Sequence, residues 1–207
     1  MRDARFSSVH HGSKTDYTMQ ISFHGAAMAK DGCACIFLCP TEGGKSTLSL
    51  YLYQNGYEYI SDDRVEVTTE TQTVTGRYKP IELRPGGYRL LRSLGVLSGE
   101  EVEFDAFPSR ERYRFYPQKS GNTAVPLREI FLINRTEEHN GVRLVEKSEA
   151  IRIMMENVME PVPVNGEYLR ALSFLAEKMR SEVSYCNLSF LTEVLERGTT
   201  HEQYPFL

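Results

Sequence analysis

The sequence predicts an α/β fold with a mixed β-sheet, an N-terminal hairpin and C-terminal helices, and three observations support it. Residues 18–38 alternate as two strands around a tight turn, and a glycine-containing loop and a helical pattern follow them. The middle of the chain is rich in strand-forming residues, and the last third carries apolar residues at helical spacing. Strands interleaved with helices favour a sheet that is covered by helices.

Length and composition indicate one folded domain. The chain has 207 residues, of which 41% are hydrophobic and 25% charged, enough for one core of moderate size. We divide it into an N-terminal extension at 1–16, a domain at 17–198 and a C-terminal tail at 199–207 that is expected to be disordered. The net charge of -4 gives no electrostatic reason to expect nucleic acid or an anionic membrane as a partner. Without a long apolar run or a secretory signal, the sequence predicts a cytoplasmic protein.

Four cysteines are predicted to be reduced thiols. Cys33, Cys35 and Cys39 share one face of a strand by alternation, and Cys186 stands apart. Metal sites of the C-x-x-C type need ligands on loops, whereas C-x-C-x-x-x-C on a strand favours buried thiols.

The predicted elements of the first half surround the glycine loop. The hairpin turns at Lys30-Asp31-Gly32, and Asn55-Gly56 stops the helix that follows the loop. A short strand then reaches Ser61-Asp62-Asp63. The predicted ranges are strands at 18–27, 33–38 and 57–60, a helix at 45–53, a strand pair at 64–67 and 74–78, and a helix at 88–94.

The second half is predicted to end in helices. Residues 98–124 are polar and aromatic, and we interpret them as a mobile or substrate-facing loop. Ser148 and Asn165 are residue types that cap helices. The predicted ranges are a hairpin of strands 127–134 and 142–145, helices at 148–158 and 166–180, a strand at 182–187 and a helix at 189–197.

The chemistry centres on the run Cys39-Pro40-Thr41-Glu42-Gly43-Gly44-Lys45-Ser46-Thr47. In a phosphate-binding loop, backbone N–H groups surround phosphate oxygens at a helix N-terminus, a lysine reaches the outer phosphates and a hydroxyl binds magnesium. The strict pattern G-x-x-x-x-G-K-[ST] fails at Cys39, which stands where the first glycine belongs. We predict ATP binding, with Mg²⁺, by seven residues: Thr41, Glu42, Gly43, Gly44, Lys45, Ser46 and Thr47.

Two carboxylates are predicted to reach the same place. Asp62 and Asp63 follow the strand after the loop helix, and in a parallel βαβ unit they would arrive beside the phosphates. One carboxylate would help to hold magnesium, directly or through water, and the other would orient an acceptor hydroxyl and take its proton. The alternative is a strand-end turn with solvated acids. His24 lies between the small residues Ser22 and Ala26, which would leave room for a phosphate, although a structural histidine is an equal alternative.

These residues resemble the catalytic domain of bacterial HPr kinase/phosphorylase and its shorter relatives, which are similar to the nucleotide core of phosphoenolpyruvate carboxykinase. The resemblance is carried by His24-Gly25, by the loop ending in Gly44-Lys45-Ser46-Thr47, by Asn55-Gly56 and by Ile60-Ser61-Asp62-Asp63. The run Val125-Pro126-Leu127-Arg128-Glu129-Ile130-Phe131-Leu132 and the ending at 183–195 are also similar, so that it covers residues 20–197.

The resemblance implies an ATP-dependent kinase that phosphorylates a hydroxyl, of the serine type, on a protein, peptide or small molecule. Lys45 would grip the β- and γ-phosphates, and Ser46 and Asp62 would hold the magnesium ion. Asp63 would be the catalytic base, and His24 would stand near the transferred group. Relatives often form oligomers, which leads us to expect a homo-oligomer. Cys39 and Glu42 depart from the glycines usual in the family, and a carboxylate at Glu42 would repel phosphate unless it points outward. Further candidates for phosphate or acceptor contacts are Arg77, Lys79, Arg84 and Lys119.

Two other functions compete with this one. A regulatory module would sense a nucleotide or another anion without catalysis, if Cys39 and Glu42 have degraded the site. A carboxykinase-type enzyme would act on a small organic acid, although the chain is short for it and the metal-binding histidine and lysine set is not apparent.

Overall fold

The computed structural model describes residues 19–39, 43–107, 110–118, 124–160 and 162–197. The proposed extension at 1–16 and tail at 199–207 lie outside them. The elements in chain order are β1 Gln20–Lys30, β2 Cys33–Leu38, α1 Lys45–Gln54, β3 Glu58–Thr68, β4 Thr73–Gly76, β5 Ile81–Leu83, α2 Pro85–Ser93, β6 Val102–Phe107, β7 Arg110–Phe115, β8 Val125–Arg135, β9 Gly141–Leu144, α3 Lys147–Asn157, α4 Gly166–Leu175, a 3-10 turn Ala176–Lys178, β10 Ser181–Tyr185 and α5 Leu188–Arg197.

The main sheet has seven strands in the order β2-β1-β3-β4-β8-β10-β9, and it closes on itself because β2 also pairs with β8. The pairs β2–β8 and β8–β10 are parallel, and the others are antiparallel. The prediction of an α/β protein with a mixed sheet is therefore confirmed.

Helices cover both faces of this sheet and give the molecule two cores. On one face, α1, α2 and α5 contribute side chains such as Leu48, Leu91 and Leu191 to a core that also contains residues of β1 and β2. On the other face, α3 and α4 pack through Ile153, Met154 and Leu172. The candidate phosphate loop lies at the N-terminus of α1 and so belongs to the first face.

Local turn signals are confirmed. Asp31 and Gly32 both have positive φ, 53° and 74°, which the two-residue turn of a twisted hairpin requires. Gly56 ends the α1 region at φ 84°, and the Asn165 side chain accepts a 2.8 Å hydrogen bond from the Tyr168 N–H at the start of α4.

Four predictions of elements are wrong. The strands predicted separately at 57–60 and 64–67 are one strand, β3. Part of the stretch 98–124 is not a loop: β6 and β7 form a hairpin, and β7 also pairs with β5 in a second, three-stranded sheet. The strands β8 and β9 do not form a hairpin, because β10 lies between them. Ser148 does not cap α3, which begins at Lys147 with Glu146 as its N-cap residue.

Candidate functional site

The position of the site follows from the register of β2, β1 and β3. Leu38, at the end of β2, pairs with Gly25 of β1, and Gly25 pairs with Asp63 of β3. The neighbouring row joins Phe37, Ala26 and Asp62 in the same way. With strands about 4.8 Å apart, the two aspartates lie about 10 Å across the sheet from the end of β2.

The predicted βαβ unit, β2–α1–β3, is present, but the aspartates do not lie at the end of its second strand. Strands β2 and β3 run in the same direction, because each is antiparallel to β1, but β1 separates them. Asp62 and Asp63 also lie inside β3 and not beyond its end. The aspartates reach the loop region through the cross-strand rows and not through adjacent parallel strands.

The N-terminus of α1 carries the features that an anion site uses. Gly44 is the N-cap residue, with φ 88°, and no side chain caps the helix. Since glycine has no side chain with which to cap the helix, the first-turn N–H groups of α1 do not receive a hydrogen bond from their N-cap residue, and their partial positive charge favours an anion. A Cβ at Gly44 would lie 3.0 Å from the Tyr185 hydroxyl, so both conformation and space favour glycine. Pro40 and two of the predicted ATP-binding residues, Thr41 and Glu42, lie outside the described residues.

Lys45 turns back across the start of the loop. Its side chain is buried, with 9% exposure, and Nζ lies 3.3 Å from the Cys39 carbonyl oxygen and 3.5 Å from Cys39 Sγ. Burial raises the pKa of the Cys39 thiol, whereas Lys45 lowers it. Cys39 thus contacts the lysine of the motif with its carbonyl group and its sulfur.

Asp62 is a buried carboxylate that faces two hydroxyl groups of α1. It is 7% exposed and accepts a 3.2 Å hydrogen bond from Ser49 Oγ, and the Ser46 hydroxyl is close enough to lower its pKa. Burial raises its pKa to about 6, against the opposing effect of these hydroxyls and of Lys79 and Lys45. Sequence reasoning missed Ser49, although its position three residues after Ser46 places it on the same side of the helix.

Asp63 is the accessible carboxylate of the pair. Its side chain is 43% exposed, Lys79 Nζ lies 2.7 Å from Oδ2, and His24 Nε2 lies 3.7 Å from Oδ1. Partial burial and Lys45 lower the pKa of His24, although Asp63 acts in the opposite direction. The imidazole is therefore neutral at pH 7, and it does not neutralise Asp63.

The structure brings the other candidate residues together only in part. Lys79 contacts Asp63, whereas Arg77 and Arg84 are exposed and Lys119 lies outside the described residues. The space predicted beside His24 is partly filled, because the Arg64 guanidinium donates to Ser22 Oγ at 3.0 Å.

Helix α2 meets α1 beside the loop, which sequence reasoning did not anticipate. A Cβ at Gly87 would lie 2.4 Å from Thr47 Oγ1, so the two helices touch at that glycine. The first turn of α2, opened by Pro85, consequently stands next to the start of α1. The run Pro85-Gly86-Gly87 was the available signal, since glycines inside a helix often mark close packing.

The residues present fit magnesium bound together with a nucleotide. The described residues hold no group of three or more His, Cys, Asp or Glu side chains that would bind a metal ion by themselves. Magnesium in nucleotide sites needs only one or two protein oxygens, because phosphates and water complete its shell. The Ser46 hydroxyl and the Asp62 carboxylate, which already contact each other, supply oxygens of the required type.

Comparison with known proteins gives no family assignment. No protein-family model matches the chain, and no curated protein matches it. Within the part of the chain that the structure describes, no helix has the length and apolar character needed to cross a bilayer.

Proposed function

We propose that the protein is an ATP-dependent phosphotransferase that moves the γ-phosphate to a hydroxyl acceptor of the serine type, on a protein, peptide or small molecule. The observation that carries the proposal is the contrast between neighbouring carboxylates. Asp62 is buried against Ser46 and Ser49, whereas Asp63 is open to solvent beside His24 and Lys79. One is suited to a metal and the other to an incoming acceptor.

Each side chain has a role in the proposed reaction. The α1 N-terminus and Lys45 hold the phosphates, and Asp63 orients the acceptor hydroxyl and takes its proton. The hydroxyl oxygen bonds to the γ-phosphorus, the bond from that phosphorus to the β,γ-bridging oxygen breaks, and ADP leaves with the electron pair. Magnesium held by Ser46 and Asp62 would neutralise phosphate charge. Lys79 supplies positive charge that stabilises the phosphoryl group during its transfer to the acceptor.

The relation to the HPr kinase-like family is part of the proposal. It is supported by the order of His24, the loop, Asp62 and Asp63 in the sequence, and by the contact between His24 and Asp63. An oligomeric, cytoplasmic enzyme is the form that this relation leads us to propose.

The test separates nucleotide binding from transfer. Asp63→Asn removes the base but leaves the α1 N-terminus and Lys45, so calorimetry should find Mg·ATP affinity within about threefold of wild type and ADP release with cell extract at least about a hundredfold slower. Lys45→Ala should weaken binding and abolish transfer. ADP release by Asp63→Asn at the wild-type rate would contradict the assigned mechanism.

A nucleotide-sensing module is the second candidate, and one contact favours it. Lys79 Nζ donates a 2.7 Å hydrogen bond to Asp63 Oδ2, so the carboxylate proposed as the base is paired with a cation. Binding of Mg·ATP without ADP release, in wild type and in Lys79→Ala alike, would support the sensor and contradict the kinase.

A further inference from the structure

A cavity opens on the far side of α1 from the two aspartates. Its volume is about 340 Å³, and its walls come from α1, from the end of α2 and from the turn between β10 and α5. Gly44 and Thr47, which flank Lys45 and Ser46 in the loop motif, are part of the wall, whereas Asp62, Asp63 and His24 are not. The cavity therefore borders the N-terminal turn of α1 but does not extend to the two aspartates.

Helix geometry separates the two sides of the loop. Ser46 and Ser49 face Asp62, whereas Thr47, Tyr51 and Asn55 line the cavity. At 100° per residue these two sets point roughly 170° apart around α1. If the γ-phosphate lies toward Asp63, the opposite end of a bound triphosphate points toward the cavity.

The chemistry of the walls suits a flat, polar-edged ring and a sugar. Leu90, Leu94 and Leu188 supply apolar surface, and Leu94 is 52% exposed at the rim. Asn187, Ser189 and Arg135 add polar groups, and Arg135 is close enough to Tyr185 to act on its pKa. A few polar groups on apolar walls, at the lower end of the 300–1,000 Å³ range, are typical of small-ligand sites.

We infer that this cavity binds the base and ribose of a nucleoside triphosphate whose phosphates occupy the α1 N-terminus. The inference rests on the proposed nucleotide-dependent function and adds the location of the nucleoside. Cys186 lines the cavity and is exposed, whereas Cys35 and Cys39 are buried. The reactivity of the Cys186 thiol can therefore report whether the cavity is occupied.

The test compares nucleotides with inorganic tripolyphosphate, which has the phosphates but no nucleoside. Cys186→Trp fills the cavity with neutral bulk and should weaken Mg·ATP or Mg·GTP by at least about tenfold, while tripolyphosphate affinity stays within about twofold. Leu169→Trp, at an exposed position of α4 on the other face of the sheet, controls for added bulk.

A second measurement uses the wild-type protein and does not depend on folding of a variant. The nucleotide that binds should slow alkylation of Cys186 by N-ethylmaleimide at least about fivefold, and tripolyphosphate should not; Cys186→Ser gives the background from the other thiols. Nucleotide binding without protection, and with Cys186→Trp unaffected, overturns the inference but leaves the kinase proposal standing. Equal weakening of nucleotide and tripolyphosphate by Cys186→Trp also overturns it. If wild type binds neither probe, the proposed function fails, and the inference fails with it.

Discussion

At the scale of single residues, burial distinguishes two aspartates that are adjacent in the sequence. Asp62 is 7% exposed and accepts a hydrogen bond from Ser49, with the Ser46 hydroxyl nearby, whereas the Asp63 side chain is 43% exposed and contacts Lys79. Desolvation penalises the charged form of Asp62, which a metal ion would compensate. We therefore propose that the buried charge of Asp62 lowers the stability of the folded protein and is kept because the function requires it.

Asp62→Asn should stabilise the protein at neutral pH. The pKa of Asp62 is raised from 3.8 to about 6 in the folded state, so the folded state binds the proton more tightly than the unfolded state. The contribution of Asp62 to stability therefore falls as the pH rises from about 4 through 6, by about 3 kcal/mol in total, and the asparagine variant lacks this fall. Urea unfolding from pH 4 to pH 8 measures the difference, and a difference that stays constant over this range would contradict the account.

Two fully buried serines should respond oppositely to loss of the hydroxyl. Ser49→Ala removes a donor to Asp62 and should cost about 1–3 kcal/mol at pH 8, because the carboxylate is left with fewer partners. Ser181→Ala is the matched control, since Ser181 Oγ has no hydrogen-bond partner among the described residues and its removal should be neutral or stabilising. Equal losses in chemical denaturation would show that Ser49 does not support Asp62.

At the scale of elements, the contact between α1 and α2 determines whether replacing a glycine of α2 by alanine stabilises or destabilises the protein. Alanine normally stabilises a helix relative to glycine by about 1 kcal/mol. Gly86→Ala should follow that rule, because nothing lies within 4 Å of the added Cβ. Gly87→Ala should instead destabilise the protein and weaken Mg·ATP binding, because the Cβ would lie 2.4 Å from Thr47 Oγ1.

Thermal unfolding of the two variants in parallel, with calorimetry of Mg·ATP, tests this prediction. The pair shares one helix and one substitution, so helix propensity cancels in the comparison. A Gly87→Ala protein as stable as Gly86→Ala would mean that α2 is free to move away from the loop.

Elements that depend on neighbouring residues were predictable from the sequence. The turn at Asp31-Gly32, the stop at Asn55-Gly56 and the cap at Asn165 each rest on interactions within a few residues. Pairing of distant strands was not predictable, because alternation does not reveal partners. Strand β10 lies 46 residues after the end of β8, counting from Arg135 to Ser181, and yet it separates β8 from β9.

At the scale of the whole molecule, the order of β2, β1 and β3 in the sheet determines where the candidate site lies. The sequence predicted that Lys45, Ser46, Asp62, Asp63 and His24 would meet, and their contacts are consistent with that grouping. The sequence did not predict that cross-strand rows bring these residues together. It also did not predict that Ser49 donates to Asp62 or that the Tyr185 hydroxyl donates to the Gly43 carbonyl, since these contacts depend on packing between different elements. The cavity beside α1 depends on three such elements and has no local signal.

Transfer of label from [γ-³²P]ATP to an acceptor in cell extract tests the central claim most directly. With magnesium, wild type should produce an acid-stable phosphate ester, the linkage formed with a hydroxyl, and Asp63→Asn should produce at least about a hundredfold less while it still binds Mg·ATP. An acid-labile linkage, or equal labelling by both proteins, would contradict the account.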